Sequence, residues 1–225
     1  MALLTPAVAA GDAAGLDEAS RRAALRERIG DLLARAAIGG LFLVLAIRIG
    51  AEFLRTGHLT GLLLLVSELL VVLLTVIRRP AVTIDRSWGA RVIATISIVG
   101  VPLIRPTGGG LAPDLATAAV SAVGLLIIIA GKATLGRSFG LMPANRGIVC
   151  SGIYGHLRHP IYAGYLVTHA AFLAAHPSAL NLALLVVSDT ALMVRAVYEE
   201  RTLAQDPEYA AYMQRVRSRV MPGVF

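Results

Sequence analysis

The chain has 225 residues, of which 56% are hydrophobic and 16% charged, and its mean hydropathy is +0.72. Soluble domains carry about 25% charge, so this composition excludes an ordinary soluble domain and points to an integral membrane protein. Basic residues outnumber acidic ones 21 to 14, and all but Lys132 are Arg. Interleaved with apolar runs, that excess suits contact with anionic lipid and argues against nucleic acid as a partner. Cys150 is the single cysteine, so neither an intrachain disulfide nor a cysteine-based metal site is expected, and no metal is assigned.

A membrane span needs roughly 20 apolar residues. Met1 to Gly15 has no basic n-region and does not read as a signal peptide. Leu16 to Gly30 is charged and fits a helix lying on the membrane surface. Residues 1–31 are therefore read as a leader, and residues 32–133 as four transmembrane helices. The four runs are Leu32 to Phe53, Leu59 to Ile77, Trp88 to Ile104 and Leu115 to Ala130. The third is short, and Pro102, Pro106 and Gly108-Gly109-Gly110 break the chain after it. A further apolar stretch from Ile161 to Val194 is interrupted at His176-Pro177-Ser178, the tip of a helical hairpin. The tail from Tyr198 to Arg219 is charged and helical in its first half.

The expected fold is thus all-α, a polytopic transmembrane helical bundle of about four spans plus a C-terminal hairpin. Arginine placement suggests its orientation. Arg21, Arg22, Arg26, Arg28, Arg78, Arg79, Arg86 and Arg91 fall on one side, with Lys132, Arg137, Arg146 and Arg158. Arg201, Arg215, Arg217 and Arg219 join them, whereas Arg55 and Arg105 fall on the other side. The positive-inside rule then puts the N-terminus, the region around 134–160 and the C-terminus in the cytoplasm, given an even number of crossings.

The densest polar cluster is Gly152-Ile153-Tyr154-Gly155-His156-Leu157-Arg158-His159-Pro160-Ile161-Tyr162-Ala163-Gly164. Its glycines permit close backbone approach to a ligand. Pro160 suits the first turn of the next helix, and Tyr162 and Tyr165 share a face of it. Interfacial anchoring alone would account for single residues of this kind, but not for their density. Arg195 and Glu199, four apart, share a second helix face and form either a structural salt bridge or part of a site facing the first cluster. Glu68 and Asp189 are carboxylates within apolar runs, with His169 a candidate partner for Asp189.

Three segments together carry a family resemblance: Thr134-Leu135-Gly136-Arg137-Ser138-Phe139, Gly147-Ile148-Val149-Cys150-Ser151-Gly152-Ile153-Tyr154, and Arg158-His159-Pro160-Ile161-Tyr162-Ala163-Gly164. So does the tail with Arg195, Glu199-Glu200, Leu203, Glu208-Tyr209, Tyr212, Arg215-Val216 and Pro222-Gly223-Val224-Phe225. From Thr134 to Phe225 the chain resembles the isoprenylcysteine carboxyl methyltransferase family.

The resemblance implies a membrane enzyme that transfers a methyl group from S-adenosylmethionine (SAM), leaving S-adenosylhomocysteine. It implies a cytoplasmic cofactor site built by residues 134–225, lined by Arg146, Gly147, Ile148, Val149, Tyr154, His159, Pro160, Ile161 and Tyr162. Glu199 would contact the cofactor and Arg195 the carboxylate of a lipid-like or prenylated substrate arriving through the bilayer; these two are the catalytic candidates. Arg146 and Cys150 stand where eukaryotic members often have His and Thr. Related enzymes methylate phospholipid amines, and others reduce sterols, so lipid N-methylation is an alternative. A non-enzymatic membrane protein or small transporter is a second. The sequence leaves the oligomeric state open.

Overall fold

The computed structural model describes residues 6–56, 59–105, 107 and 109–223. Within these, the side chains at 6–20, 23–24, 26–28, 34, 52, 56, 59–61 and 102 fall outside the description. Seven helices dominate: α1 (Pro6–Thr56), α2 (Leu59–Ile77), α3 (Trp88–Val99), α4 (Asp114–Leu135), α5 (Pro160–Ala175), α6 (Ala179–Leu203) and α7 (Pro207–Arg215). Two short strands, β1 (Thr83–Ile84) and β2 (Ala144–Asn145), pair antiparallel with Thr83 opposite Asn145.

Among the described residues, three segments are long and apolar enough to cross a membrane: Ile29–Arg55 within α1, Asp114–Ser138 and Ala179–Leu203. Leu62–Ile77, Trp88–Val99 and Pro160–Ala175 are shorter apolar helices. The stretch expected to span from Trp88 to Ile104 is helical only to Val99. A tight 3₁₀ turn at Val101–Leu103 follows, because Pro102 lacks the N–H needed to continue the ladder. The Leu16 to Gly30 stretch is not a separate helix: α1 runs through it without a break. No strand was expected from the sequence. The β1–β2 pairing rests on backbone bonds such as Val82 N to Asn145 O at 2.8 Å, which hydropathy does not encode.

Helix ends follow local chemistry. Ser87 Oγ accepts from Ala90 N at 3.2 Å, Ser178 Oγ from Asn181 N at 3.1 Å, and Asp206 Oδ1 from Glu208 N at 3.0 Å. Each satisfies an amide that the first helical turn leaves open. Pro160 and Pro207 occupy first-turn positions.

Packing pairs α1 with α2, α2 with α4, α4 with α5, and α3 with α6. The α4–α5 contact is built on small residues. A Cβ at Gly164 would lie 2.7 Å from Gly124 O, and one at Gly124 would lie 2.9 Å from Gly164 O. Between apolar helices in lipid, such close backbone approach is a main source of association. Leu125, Ile128, Ile161, Tyr162, Leu192, Ala196 and the tail residue Val220 form the buried core there.

Lys132 was expected among cytoplasmic loop cations. It is instead fully buried on α4, its Nζ donating to Ser67 Oγ at 2.7 Å and Ser67 O at 3.1 Å. Its ammonium also acts on the buried Glu68 carboxylate, so it links helices rather than marking a loop.

Candidate active site

One cavity gathers side chains from the 135–149 loop, the 152–155 turn, α5, α6 and α7. Of the residues singled out in the sequence, Arg146, Gly147, Ile148, Val149, Tyr154, His159, Ile161, Tyr162, Arg195 and Glu199 all line it. Pro160 does not. It is buried and starts α5, so it sets the position of its neighbours.

The loop carrying Arg146 is shaped by local bonds. Gly147 has φ +103°, a region that side chains disfavour, and its N–H donates to Asn145 Oδ1 at 2.9 Å. Ser138 Oγ donates to Arg146 O at 3.1 Å, and Asn145 Nδ2 reaches Asp206 Oδ2 at 3.0 Å. These bonds tie the loop to the start of α7. Arg146 is 7% exposed, and its Nε has no partner among the described residues. Burial, followed by the neighbouring Arg78 charge, lowers its guanidinium to about 10. It therefore stays charged at neutral pH while poorly solvated, a state that favours an anionic partner.

Arg195 and Glu199 project from α6. Arg195 Nε donates to Glu199 Oε1 at 3.0 Å, and its Nη2 reaches Gly140 O at 3.4 Å. Tyr162 Oη donates to the same Glu199 oxygen at 2.7 Å, and the Arg195 guanidinium stands 5.6 Å from the Tyr162 ring centre. His159 stacks on Tyr162, centroids 5.2 Å apart and planes 13° apart.

Glu200 plays a separate part. Its carboxylate lies 2.8 Å from Arg158 Nε, 3.1 Å from His159 Nε2 and 2.9 Å from Arg219 Nε. The Arg158 contact is ionic, since that Nε is not aligned as a hydrogen-bond donor. A carboxylate only accepts, so His159 carries its proton on Nε2. The backbone completes the joint: Arg158 N donates to Ser218 O at 3.0 Å and His159 N to Arg219 O at 2.8 Å. The tail is thereby strapped across the motif.

Tyr212 Oη donates to Tyr154 O at 2.7 Å, and its ring meets Tyr209 edge-on at 5.4 Å. Both tyrosines line the cavity. Burial raises the phenols of Tyr154, Tyr209 and Tyr212 above their ordinary range, so all three are neutral donors.

Sequence reasoning quoted Phe139 only within the resemblance and missed the wall it forms with Gly140, Leu141 and Met142. At Gly140 the Arg146 guanidinium occupies the space a Cβ would need, with Cζ at 2.9 Å, a requirement visible only in the structure. Sequence reasoning also missed Glu200 as the anchor of the tail.

No curated protein matches the chain. Residues 118–205 match the model of the isoprenylcysteine carboxyl methyltransferase (ICMT) family. That segment holds α5, α6, the 144–149 loop and most of the cavity wall. Over that segment, this apolar helical chain is similar to the isoprenylcysteine carboxyl methyltransferase family, a family of membrane methyltransferases.

Proposed function

We propose that the protein is a SAM-dependent methyltransferase that esterifies the carboxylate of a lipid-like acceptor within the membrane. The observation that carries this reading is the convergence of Arg146, Arg195 and Glu199 on one cavity inside the matched segment.

The donor set suits SAM. The Arg146 guanidinium, whose Nε has no partner among the described residues, fits a cofactor carboxylate, Glu199 fits an ammonium or ribose hydroxyl, and Ile148, Val149 and Tyr209 offer apolar cover for a base. When bound, SAM supplies a methyl group made electrophilic by its sulfonium. The chain's own contribution is positioning, which can account for much of such a displacement. Arg195 holds and aims the acceptor carboxylate, while the Glu199 and Tyr162 contacts fix its guanidinium. The acceptor carboxylate is ionised at neutral pH, since its ordinary pKa is about 4, so no base is required. Transfer would cancel the carboxylate's negative charge, so Arg195 would hold the acid more tightly than the ester product. The cofactor comes from the cytoplasm and the acceptor from the bilayer, with the N-terminus, motif and tail on the cytoplasmic side. Lipid N-methylation is the less favoured reading, because the buried Arg195 cation would repel an amine headgroup.

The test is calorimetric titration of S-adenosylhomocysteine into the detergent-purified protein. Micromolar binding is expected, with His159→Ala weakening it. Arg195→Lys should retain cofactor affinity and lose methyl transfer, because Lys lacks the planar fork that a carboxylate engages. No binding to a folded sample overturns the reading.

A further inference from the structure

Helices α5 and α6 are consecutive, yet they touch little, α5 packing on α4 and α6 on α3. The gap between them is an open groove of about 350 Å³, walled largely by aliphatic residues such as Leu166, Leu173, Leu185 and Met193. Two ionisable residues interrupt that wall. His169 Nδ1 lies 2.7 Å from Asp189 Oδ1, their side chains 10% and 24% exposed. Ionisable groups at membrane depth are costly and characteristically face an interior path. Asp189 lines the groove and stays partly open to it, whereas the Glu200 carboxylate is 4% exposed.

The gap adjoins the candidate active site. Tyr165 lines the first cavity, and its ring stacks on His169, centroids 6.1 Å apart. On α6, Asp189 precedes Arg195 by six residues, about 9 Å along the helix axis.

We propose that the α5–α6 gap holds the hydrocarbon chain of the methyl acceptor, and that the His169–Asp189 pair hydrogen-bonds a hydroxyl carried on that chain about 9 Å from the reacting carboxylate. This rests on the carboxyl-methyltransferase reading above and narrows the acceptor to a lipid acid oxygenated along its chain. The chemistry is direct. Asp189 Oδ1 is taken by His169, and its other oxygen accepts from the hydroxyl. A bare hydrocarbon chain would cover that oxygen with no partner, which is costly.

The experiment is equilibrium binding of radiolabelled palmitic acid and of a mid-chain hydroxylated palmitic acid to the full chain in lipid nanodiscs. S-adenosylhomocysteine binding is measured on the same samples. The hydroxylated acid should bind about tenfold tighter, the effect of one hydrogen bond to a charged group. The paired substitution Asp189→Leu with His169→Leu should abolish that preference. Ala170→Phe, on the wall of the gap, should weaken both acids. Equal affinity of the unaltered protein for the two acids overturns the proposal, and that comparison depends on no variant folding. A preference that survives the paired substitution also overturns it. S-adenosylhomocysteine binding without a preference removes only the assignment of the gap. A preference without S-adenosylhomocysteine binding removes the methyltransferase reading, and the acceptor role with it.

Discussion

Charged side chains in this site are held by one another more than by water, and the two adjacent glutamates divide the work. Glu199 faces the cavity beside Arg195 and Tyr162, whereas Glu200 turns away to bind Arg158, His159 and Arg219. The sequence showed the pair but not the division, because neighbouring residues on a helix point about a quarter-turn apart and only packing decides which faces a cavity. Glu200→Ala should therefore behave unlike a cavity mutant. Removing one partner from a buried ionic cluster costs about 3–5 kcal/mol. The expected result is a lower melting temperature in detergent and a loosened tail, read as proteolysis beyond residue 215. Glu199→Gln keeps an acceptor for Arg195 and Tyr162, so it should lower the melting temperature less than Glu200→Ala and weaken cofactor binding. At Gly140 the prediction is steric. A methyl group there meets the Arg146 guanidinium, so Gly140→Ala should lower S-adenosylhomocysteine affinity several-fold, and calorimetry should show little loss of folded protein.

Among the elements, the α4–α5 joint decides where His159 and Tyr162 stand, since both begin the helix that this joint fixes. Gly124 and Gly164 let the two backbones meet, and Gly131 does the same opposite Ile161. Gly164→Ala places a methyl 2.7 Å from the Gly124 carbonyl oxygen. Overpacking of this kind costs about 1–3 kcal/mol, and the strain moves α5 together with its cavity residues. Lower thermal stability and weaker cofactor binding should appear together. Gly39→Ala has open space around it and should change neither. These elements were largely legible in the sequence. Apolar runs located six helices, and His176-Pro177-Ser178 located the turn between α5 and α6. The length of α3 was misread because hydropathy continues past Val99 while Pro102 ends the helix. The packing partner of α5 was not legible: the turn at His176-Pro177-Ser178 makes α6 its neighbour in the chain, but small residues on α4 hold α5.

Across the whole molecule, the surfaces bearing Arg146, the strapped tail and the β1–β2 pairing meet at one end of the bundle, the end that the positive-inside rule assigns to the cytoplasm. Cys150 lies in the same region, packed with Tyr209, Tyr212 and Val216, and it is the only thiol in the chain. That makes it an internal reporter of orientation. A membrane-impermeant maleimide should label it in inverted vesicles and not in right-side-out vesicles; the reverse pattern would refute the cytoplasmic assignment. Reactivity also has a definite pH dependence. Burial, then the nearby Glu208 charge, raises the Cys150 thiol above its ordinary value. Because the thiolate is the reacting form, labelling at neutral pH should be slower than for an exposed thiol. It should continue to climb at pH values where an exposed thiol has reached its plateau. Tyr209 and Tyr212 line the cavity and also pack against Cys150, so S-adenosylhomocysteine should slow the labelling further. Protection in the unaltered protein that disappears in Gly140→Ala would connect the loop, the tail and the cofactor cavity in one measurement.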